Sequence, residues 1–313
     1  MDADDVIATL SSRVGVDYLK RRLMLEAAYE SRVRRFPRSF FHLERWWSIH
    51  SVIRNSLRSV GLYRRAQRNL RRLELRSNDV RLSGLPLALH GFRLLQISDP
   101  HLDMSADTPD TLIANVRHLD YDLCVLTGDY RTRTFGPYRP TLEALARVRP
   151  HLKGPVYAVL GNHDTIRLVP GMEALDIRVL LNDAIAIDRE ASVWLAGIDD
   201  AHYFKLFDMK RAAATIPPGA ISILLSHTPE VFRDAASAGF RVMLSGHTHG
   251  GQICLPGGIP IITDTHYCPR RYTRGAWHYE NLIGYTSTGS GASIVDVRLN
   301  CPPEVTLHRL VRA

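Results

Sequence analysis

The sequence predicts an α/β fold in which short buried strands alternate with helices. One observation is a series of five runs rich in Val, Ile and Leu, each bounded by Gly or polar residues, at 92–98, 123–127, 156–160, 221–225 and 241–244. A second observation is that helix-like patterns lie between these runs, as at 111–119 and 141–148. Strands that alternate with helices are typical of βαβ units and their largely parallel sheets.

A short polar segment follows each apolar run, at the point where the predicted strand ends. These segments are Asp99-Pro100-His101, Gly128-Asp129, Gly161-Asn162-His163-Asp164, Ser226-His227 and Gly246-His247-Thr248-His249. Ligands of α/β sheets bind beyond the carboxyl ends of the strands. We therefore expect these carboxylates, imidazoles and the amide to gather along one edge of a sheet.

The residue types in these segments suit divalent transition metals. Carboxylate oxygen, imidazole nitrogen and amide oxygen are ligands for Mn, Fe and Zn, and the lack of thiolates argues against a structural zinc site. Two neighbouring ions can share a bridging hydroxide as nucleophile and stabilise the attacking and leaving oxygens of an in-line displacement. Such a centre needs one bridging carboxylate. Asp129 is the candidate, because it lies between the other segments and follows Gly128, which permits close backbone approach.

The five segments resemble the motifs of the calcineurin-like metallophosphoesterase superfamily. The residues that follow the last run, 246–257, and a second segment at 300–305 are similar to the YkuE-like branch. That branch includes UDP-2,3-diacylglucosamine pyrophosphatase-type enzymes. The resemblance extends from about residue 83 to the C-terminus and is far more specific for the superfamily than for a substrate.

The resemblance implies two divalent metal ions, of which Mn is favoured and Fe or Zn are open. It assigns one ion to Asp99, His101, Asp129 and His249, and the other to Asp129, Asn162, His227 and His247. His163 would lie over the ions and donate a proton to the leaving oxygen or a hydrogen bond to the developing phosphorane, with Asp164 fixing its tautomer. Pro100 departs from the usual family residue. We expect it to favour extended geometry at Asp99 and to be tolerated.

The same resemblance implies a four-layer α/β/β/α sandwich for residues 83–313, preceded by a basic helical extension at residues 1–82. We expect two late strand-like runs, at 292–299 and 305–310, to complete the second sheet.

Three arginines beyond the last motif, Arg270, Arg271 and Arg274, are candidates for contacts with substrate phosphates. A solvated basic loop is the alternative.

Other polar residues give weaker signals. His202 belongs to a segment whose family counterpart lines the active-site edge, but we expect a solvent-exposed loop. His266 lacks enough neighbouring ligands for a metal site. Asp103 could accept the second ring proton of His101 or cap the next helix.

Composition limits the compartment and the class. The four cysteines have neither disulfide-type nor metal-type spacing, which indicates a reducing, cytoplasmic location. We expect no signal peptide and no membrane-spanning helix. The oligomeric state stays open.

Positive charge is concentrated in the first 82 residues. They hold eighteen Lys or Arg against nine Asp or Glu, whereas the whole chain has a net charge of +8. Two helices are predicted here, one at 17–35 and one from about residue 39. The second carries an apolar stripe with arginines beside it, at Leu43, Trp46, Ile49, Ile53, Leu57 and Val60.

That pattern is typical of a helix lying on an anionic membrane. The alternative is that the stripe packs on the catalytic domain. Nucleic-acid binding is weaker, because no recognised DNA-binding motif accompanies the charge.

The sequence therefore predicts a dinuclear-metal hydrolase. Its substrate would be a phosphoester or pyrophosphate, lipid-linked or nucleotide-linked, cleaved at the membrane surface by a metal-bridging hydroxide. The alternatives are a binding scaffold that has the fold without turnover, and a nuclease that uses the basic extension.

Overall fold

The computed structural model describes residues 3–35, 46–188, 190 and 192–313, with side chains described outside 3, 32–35 and 46–50. The helices of this part of the chain are α1 (Ala3–Val14), α2 (Val16–Arg35), α3 (Trp46–Ser59), α4 (Tyr63–Leu70), α5 (Thr108–Val116), α6 (Arg139–Val148), α7 (Val169–Glu173), α8 (Met209–Ala213) and α9 (Phe232–Ser237). The strands are β1 (Glu74–Leu82), β2 (Arg93–Ile97), β3 (Leu123–Thr127), β4 (Val156–Val159), β5 (Ile177–Val179), β6 (Asp183–Ala186), β7 (Val193–Gly197), β8 (Ile221–Leu225), β9 (Val242–Ser245), β10 (Cys254–Leu255), β11 (Ile259–Pro260), β12 (Gly275–Tyr279), β13 (Leu282–Thr286) and β14 (Glu304–Arg312).

Two six-stranded sheets form the centre of the molecule. The first has the order β1-β14-β2-β3-β4-β5, and the second has the order β12-β13-β9-β8-β7-β6. Strands β2 to β5 are mutually parallel, as are β7, β8, β9 and β13. Their continuous apolar runs suit strands that are covered on both faces.

Three apolar cores separate four layers. The side chains between the sheets include Leu94 and Val125 of the first sheet and Ile223 of the second. The other face of the first sheet packs on α1 and α5 to α7, and the other face of the second sheet packs on α8 and α9. The predicted α/β/β/α sandwich is confirmed.

The end of the chain departs from the predicted sheet assignment. Strand β14 lies in the first sheet, antiparallel to β2 and parallel to β1, rather than in the second. Residues 292–299 form no strand beyond a single bridge between Ile253 and Leu299. The predicted boundary between the extension and the domain, at residues 82 and 83, falls after β1. The first strand of the first sheet therefore begins within the predicted extension, at Glu74. Apolar alternation identifies a strand, but it does not identify the strand's partner.

The first two helices pack on the first sheet of the sandwich. Val6, Leu10 and Val14 of α1 and Leu19 of α2 are buried in the core that also covers β2 and β3. The beginning of the extension is therefore part of the sandwich.

A buried arginine joins α2 to the opposite part of the fold. The Arg22 side chain is fully buried, and its Nη1 donates to Oδ1 of Asp199 at 2.5 Å. Its Nη2 donates to the carbonyl of Asp164 at 2.9 Å, and its Nε donates to Glu26 at 3.1 Å. The Tyr18 hydroxyl also donates to Asp199. These charges are mutually paired, which is the condition under which buried charges are tolerated.

Helices α3 and α4 form a smaller core with the segment before β14. Leu57 and Ala66 are buried against Val295 and Val297, and Ile53 is half-buried there. This part of the predicted stripe therefore packs inward, whereas Val60 is 67% exposed. The predicted helix start near residue 39 and Leu43 lie outside the described residues, as do the side chains of Trp46 and Ile49. Among the helices described, none combines the length and apolar character needed to cross a membrane.

Replacing Arg22 by Ala should lower the free energy of unfolding by about 3–5 kcal/mol, because it leaves the Asp199 carboxylate buried without its cation. Urea unfolding followed by circular dichroism measures the change. The matched control is Arg21→Ala on the exposed face of α2, for which we expect a change within about 0.5 kcal/mol. Equal values for the two variants would contradict a structural role for the buried pair.

Candidate metal centre

The predicted ligands follow strands of both sheets. Asp99 and His101 follow β2, Asp129 follows β3, and Asn162 follows β4, all in the first sheet. In the second sheet, His227 follows β8, and His247 and His249 follow β9. The expectation of a single sheet edge is corrected, because the site lies where the carboxyl ends of two facing sheets meet.

Five of these residues have left-handed backbone conformations, which non-glycine residues rarely adopt. Their φ angles are 48° at Asp99, 42° at His101, 57° at Asp129, 70° at His247 and 48° at His249. Asp99 is therefore not extended, which corrects the geometry expected from Pro100. Such conformations cost about 1–3 kcal/mol each and cluster at functional sites.

One group of ligands surrounds a first position. The ligand atoms of Asp99, His101 and His249 all lie within 4.8 Å of one another, and all three residues are buried. Nε2 of His101 is 3.2 Å from Nε2 of His249, which lies 3.6 Å from Oδ1 of Asp99. These atoms can hold one metal ion.

A second group lies beside it. The ligand atoms of Asp129, His227 and His247 also lie within 4.8 Å of one another. Nε2 of His227 is 3.2 Å from Nδ1 of His247 and 2.9 Å from Oδ1 of Asn162. Nε2 of His247 is buried and has no hydrogen-bond partner among the described residues.

Asp129 lies between the two groups. Its Oδ2 is 3.9 Å from Nε2 of His101 in the first group and 3.3 Å from Nε2 of His227 in the second. Gly128 permits this position: its φ is +90°, and a Cβ there would lie 2.7 Å from the backbone nitrogen of Gly161. A single carboxylate can therefore bridge two ions.

Backbone carbonyls fix the protonation of two rings. Nδ1 of His101 lies 2.8 Å from the carbonyl of Arg131, and Nδ1 of His227 lies 2.8 Å from the carbonyl of Thr127. Since a carbonyl only accepts, both Nδ1 atoms carry the proton, and in a neutral ring the Nε2 lone pair points into the site. Lone pairs that converge with carboxylate oxygens require a cation, so the donor set fits metal ions.

Without metal, a proton takes that role at His227. Burial opposes protonation, but the Asp129 carboxylate outweighs it and raises the pKa of His227 to about 10. Burial alone would raise the pKa of Asp129, yet the His227 imidazolium holds it well below its usual range. The pair is therefore ionised near neutral pH.

His163 lies at the edge of the centre. Its side chain is 15% exposed, and its Nε2 is 3.9 Å from Oδ2 of Asp129. Burial lowers the pKa of His163 to about 4, so the ring is neutral. Its Nδ1 lies 3.4 Å from the hydroxyl of Thr134.

Asp164 does not orient His163, which corrects the predicted contact. Its carboxylate accepts the backbone N–H groups of Asp129 at 2.7 Å, Tyr130 at 3.0 Å and Gly161 at 2.8 Å. Asp164 therefore holds the two ligand-bearing loops together. Position in the sequence beside His163 does not reveal the direction of its side chain.

Two minor expectations also change. Asp103 accepts from the backbone of Thr132 at 2.6 Å and from Thr141 at 3.2 Å, rather than from His101. His202 is buried rather than exposed: its Nδ1 lies 2.7 Å from Oε2 of Glu230, and its ring is 4.1 Å from that of His247.

The three predicted substrate arginines lie on the surface and bond to neighbouring groups. Arg270 donates to the carbonyl of Pro260, and Arg274 donates to that of Gly258 at 2.7 Å. Arg271 stacks on the Tyr272 ring. Their contact with substrate stays a prediction.

Two buried arginines beside the site were not predicted from the sequence. Arg298 donates to the carbonyls of His249 at 2.9 Å and Gly291 at 2.6 Å, and its Nη2 lies 3.0 Å from Nδ1 of His249. Arg131 donates to the carbonyl of His163. A charged residue inside the apolar run 292–299 was the available signal for Arg298.

Comparison with known proteins identifies the family. Residues 92–251 match the calcineurin-like phosphoesterases. The chain belongs to the calcineurin-like phosphoesterase family. It is a metal-dependent phosphoesterase, and the family's two divalent ions have candidate ligands in the two groups described above.

Three relatives illustrate the range of this phosphoesterase family. The uncharacterized metallophosphoesterase YkoQ of Bacillus subtilis is 28% identical over 79% of this chain and 93% of its own length. Phosphodiesterase YaeI of Escherichia coli is 30% identical over 70% of this chain and 82% of its own length. The UDP-2,3-diacylglucosamine pyrophosphatase LpxG of Chlamydia trachomatis is 27% identical over 71% of this chain and 84% of its own length.

Metal binding should release about one proton per chain near pH 7.5, because the His227 proton must leave before Nε2 can bind an ion. The raised pKa means that apparent affinity increases as pH rises toward about 10, by about tenfold per pH unit. Calorimetric titration with Mn in buffers of different ionisation enthalpy measures the release. His278→Ala on the surface should behave as wild type. A binding heat that does not depend on the buffer would contradict the release of a proton from His227.

Proposed function

We propose that this phosphoesterase hydrolyses a phosphodiester or pyrophosphate bond in a lipid-linked or nucleotide-linked substrate at a membrane surface. The observation that carries the proposal is the position of the Asp129 carboxylate between the two histidine groups. A two-ion centre is suited to in-line displacement at phosphorus, because charge develops on both the attacking and the leaving oxygen.

The metal ligands of the proposed enzyme are Asp99, His101, Asp129, Asn162, His227, His247 and His249. When bound, the two ions would supply Lewis acidity and an activated water. The mixture of oxygen and imidazole ligands suits Mn, Fe and Zn, of which we propose Mn.

His163 is proposed to act on the transferring phosphoryl group. Its low pKa makes it a neutral imidazole, and neighbouring cations would lower that pKa further. A neutral ring is better suited to donate a hydrogen bond to a phosphoryl oxygen than to deliver a proton. The Arg131 guanidinium donates to the backbone carbonyl of His163, and the Thr134 hydroxyl lies beside its ring Nδ1, so both hold the residue in place.

The type of bond is inferred from the relatives. YaeI is named a phosphodiesterase, and LpxG is named a pyrophosphatase that acts on a diacylated nucleotide sugar. Both reactions cleave a P–O bond at a phosphorus atom that carries two ester or anhydride links. This shared chemistry supports a disubstituted phosphate as the substrate of this chain.

An exposed apolar loop supports action at a membrane. Five large apolar residues at 255–267 are exposed, among them Ile262 at 72% and Tyr267 at 83%. The loop begins at β10, five residues after His249, and Arg270 and Arg274 lie beside it. Apolar side chains flanked by arginines suit contact with an anionic bilayer. We propose peripheral contact through this loop together with the basic extension.

Purified protein resupplied with Mn should hydrolyse bis(p-nitrophenyl) phosphate, and Asp129→Ala should abolish turnover because it removes the shared ligand. His163→Ala should lower kcat by about 10²–10³ with the metal content unchanged, because one hydrogen-bond donor to the transition state is lost. Absorbance of p-nitrophenolate and metal analysis measure the two effects. Folded protein that binds metal without turnover on any disubstituted phosphate would favour the binding scaffold.

Ile262→Asp should weaken binding to vesicles of phosphatidylcholine and phosphatidylglycerol by about tenfold, because one large apolar side chain no longer enters the bilayer. Cosedimentation measures the partition coefficient. Leu87→Asp is the matched control, since Leu87 is 73% exposed outside the loop. Equal binding of both variants would argue against contact through the loop.

A further inference from the structure

A cavity of about 650 Å³ connects the candidate metal centre with the N-terminal extension. Pro100 and the metal ligand His101 line it, and so do residues of α4. A molecule bound at the metal centre therefore has room to extend toward α4.

The α4 wall carries concentrated positive charge. Arg64, Arg68 and Arg71 line the cavity, spaced four and three residues apart, so they lie on the same side of the helix. Arg71 pairs with Asp107 at 3.2 Å. The side chains of Arg64 and Arg68 form no hydrogen bond or ion pair with any residue that the structure describes.

Neither acidic group in the cavity pairs with these two arginines. Asp107 is engaged by Arg71, and Asp296 accepts from Gln67 at 2.9 Å and from Tyr63 at 3.3 Å. Two guanidinium groups are thus available to an anion. Arginine binds phosphate oxygens through two parallel hydrogen bonds.

The remaining wall combines apolar side chains with the hydroxyl groups of Ser105, Thr108, Thr111 and Ser290. It includes Met104 and Leu112, together with Pro100 and Ala292. Such a lining does not favour a free inorganic ion. It suits an organic group that carries phosphate.

Helix α4 has a fixed position relative to the metal centre. Ala66 is fully buried, and its carbonyl accepts the backbone N–H of Arg298 at 2.9 Å. Asn69 donates to the carbonyl of Arg298 at 3.1 Å. Since the Arg298 side chain contacts His249, one residue links the helix to a candidate metal ligand.

We propose that Arg64 and Arg68 bind a second phosphate group of the substrate, while the phosphate to be cleaved lies at the metal centre. The extension then belongs to the substrate site, and the substrate class is an organic phosphate with at least two phosphate groups. This inference rests on the proposed function, because it assigns the metal centre to the first phosphate.

The test compares adenosine monophosphate with the non-hydrolysable α,β-methylene adenosine diphosphate, titrated calorimetrically into Mn-loaded full-length protein at 0.15 M salt. The second phosphate should raise the affinity of the wild type by about tenfold or more. In Arg64→Gln/Arg68→Gln, the ratio of the two affinities should fall to about one. Arg65→Gln/Arg72→Gln removes the same charge from residues outside the lining and should keep the wild-type ratio.

The outcomes separate this inference from the proposed function. A ratio that is lost only in Arg64→Gln/Arg68→Gln supports the phosphate site, and partial recovery in Arg64→Gln/Arg68→Lys adds support. A ratio near one in the wild type, one that persists in Arg64→Gln/Arg68→Gln, or one that falls equally in both double variants overturns it. Turnover of bis(p-nitrophenyl) phosphate by the wild type is measured on the same preparation. Absence of turnover would count against the proposed function. The affinity ratio alone tests whether Arg64 and Arg68 bind a second phosphate.

Discussion

The shared Asp129 carboxylate is the constraint on which the rest of the site depends. For one oxygen to face His101 on one side and His227 on the other, the ends of the two sheets must meet at a single point. This requirement explains the left-handed φ of Asp129 and the glycine that precedes it. It also explains why the Asp164 carboxylate accepts backbone N–H groups, because the loops after β3 and β4 must be held together.

Folding of such a centre without its ions carries a large unfavourable free energy. Charged and imidazole groups are buried close together, and five candidate ligands adopt uncommon backbone conformations. These costs are offset by the large apolar cores on either side of both sheets. Proton binding at His227 provides partial compensation, since it pairs one imidazolium with the Asp129 carboxylate. Metal ions would replace that proton and allow the centre to bind phosphate.

The sequence predicts local features of this molecule far better than distant ones. Strand β3 begins and ends at the same residues as its apolar run. The polar segments that follow the five runs come together at one site. Both the runs and the polar segments are recognised from neighbouring residues in the chain. The partner of β14 was misassigned, since apolar alternation does not encode which strand lies alongside. The directions of Asp164 and His202 were missed for a related reason: each depends on residues more than twenty positions away. Arg298 had only its unusual apolar surroundings as a signal.

The charge asymmetry of the sequence acquires a structural meaning through the first four helices. Much of the basic extension is neither free nor separate, because α1 and α2 complete a core of the sandwich and Arg22 is buried beside the loop of Asp164. Helix α4 is held by the backbone of Arg298, with its unpaired arginines directed at the cavity that reaches His101. Positive charge in this position compensates the charge of a polyphosphate more effectively than a solvated tail, because the helix that carries the arginines is held in place before the ligand arrives. A fixed basic wall beside a two-ion centre therefore favours substrates with more than one phosphate.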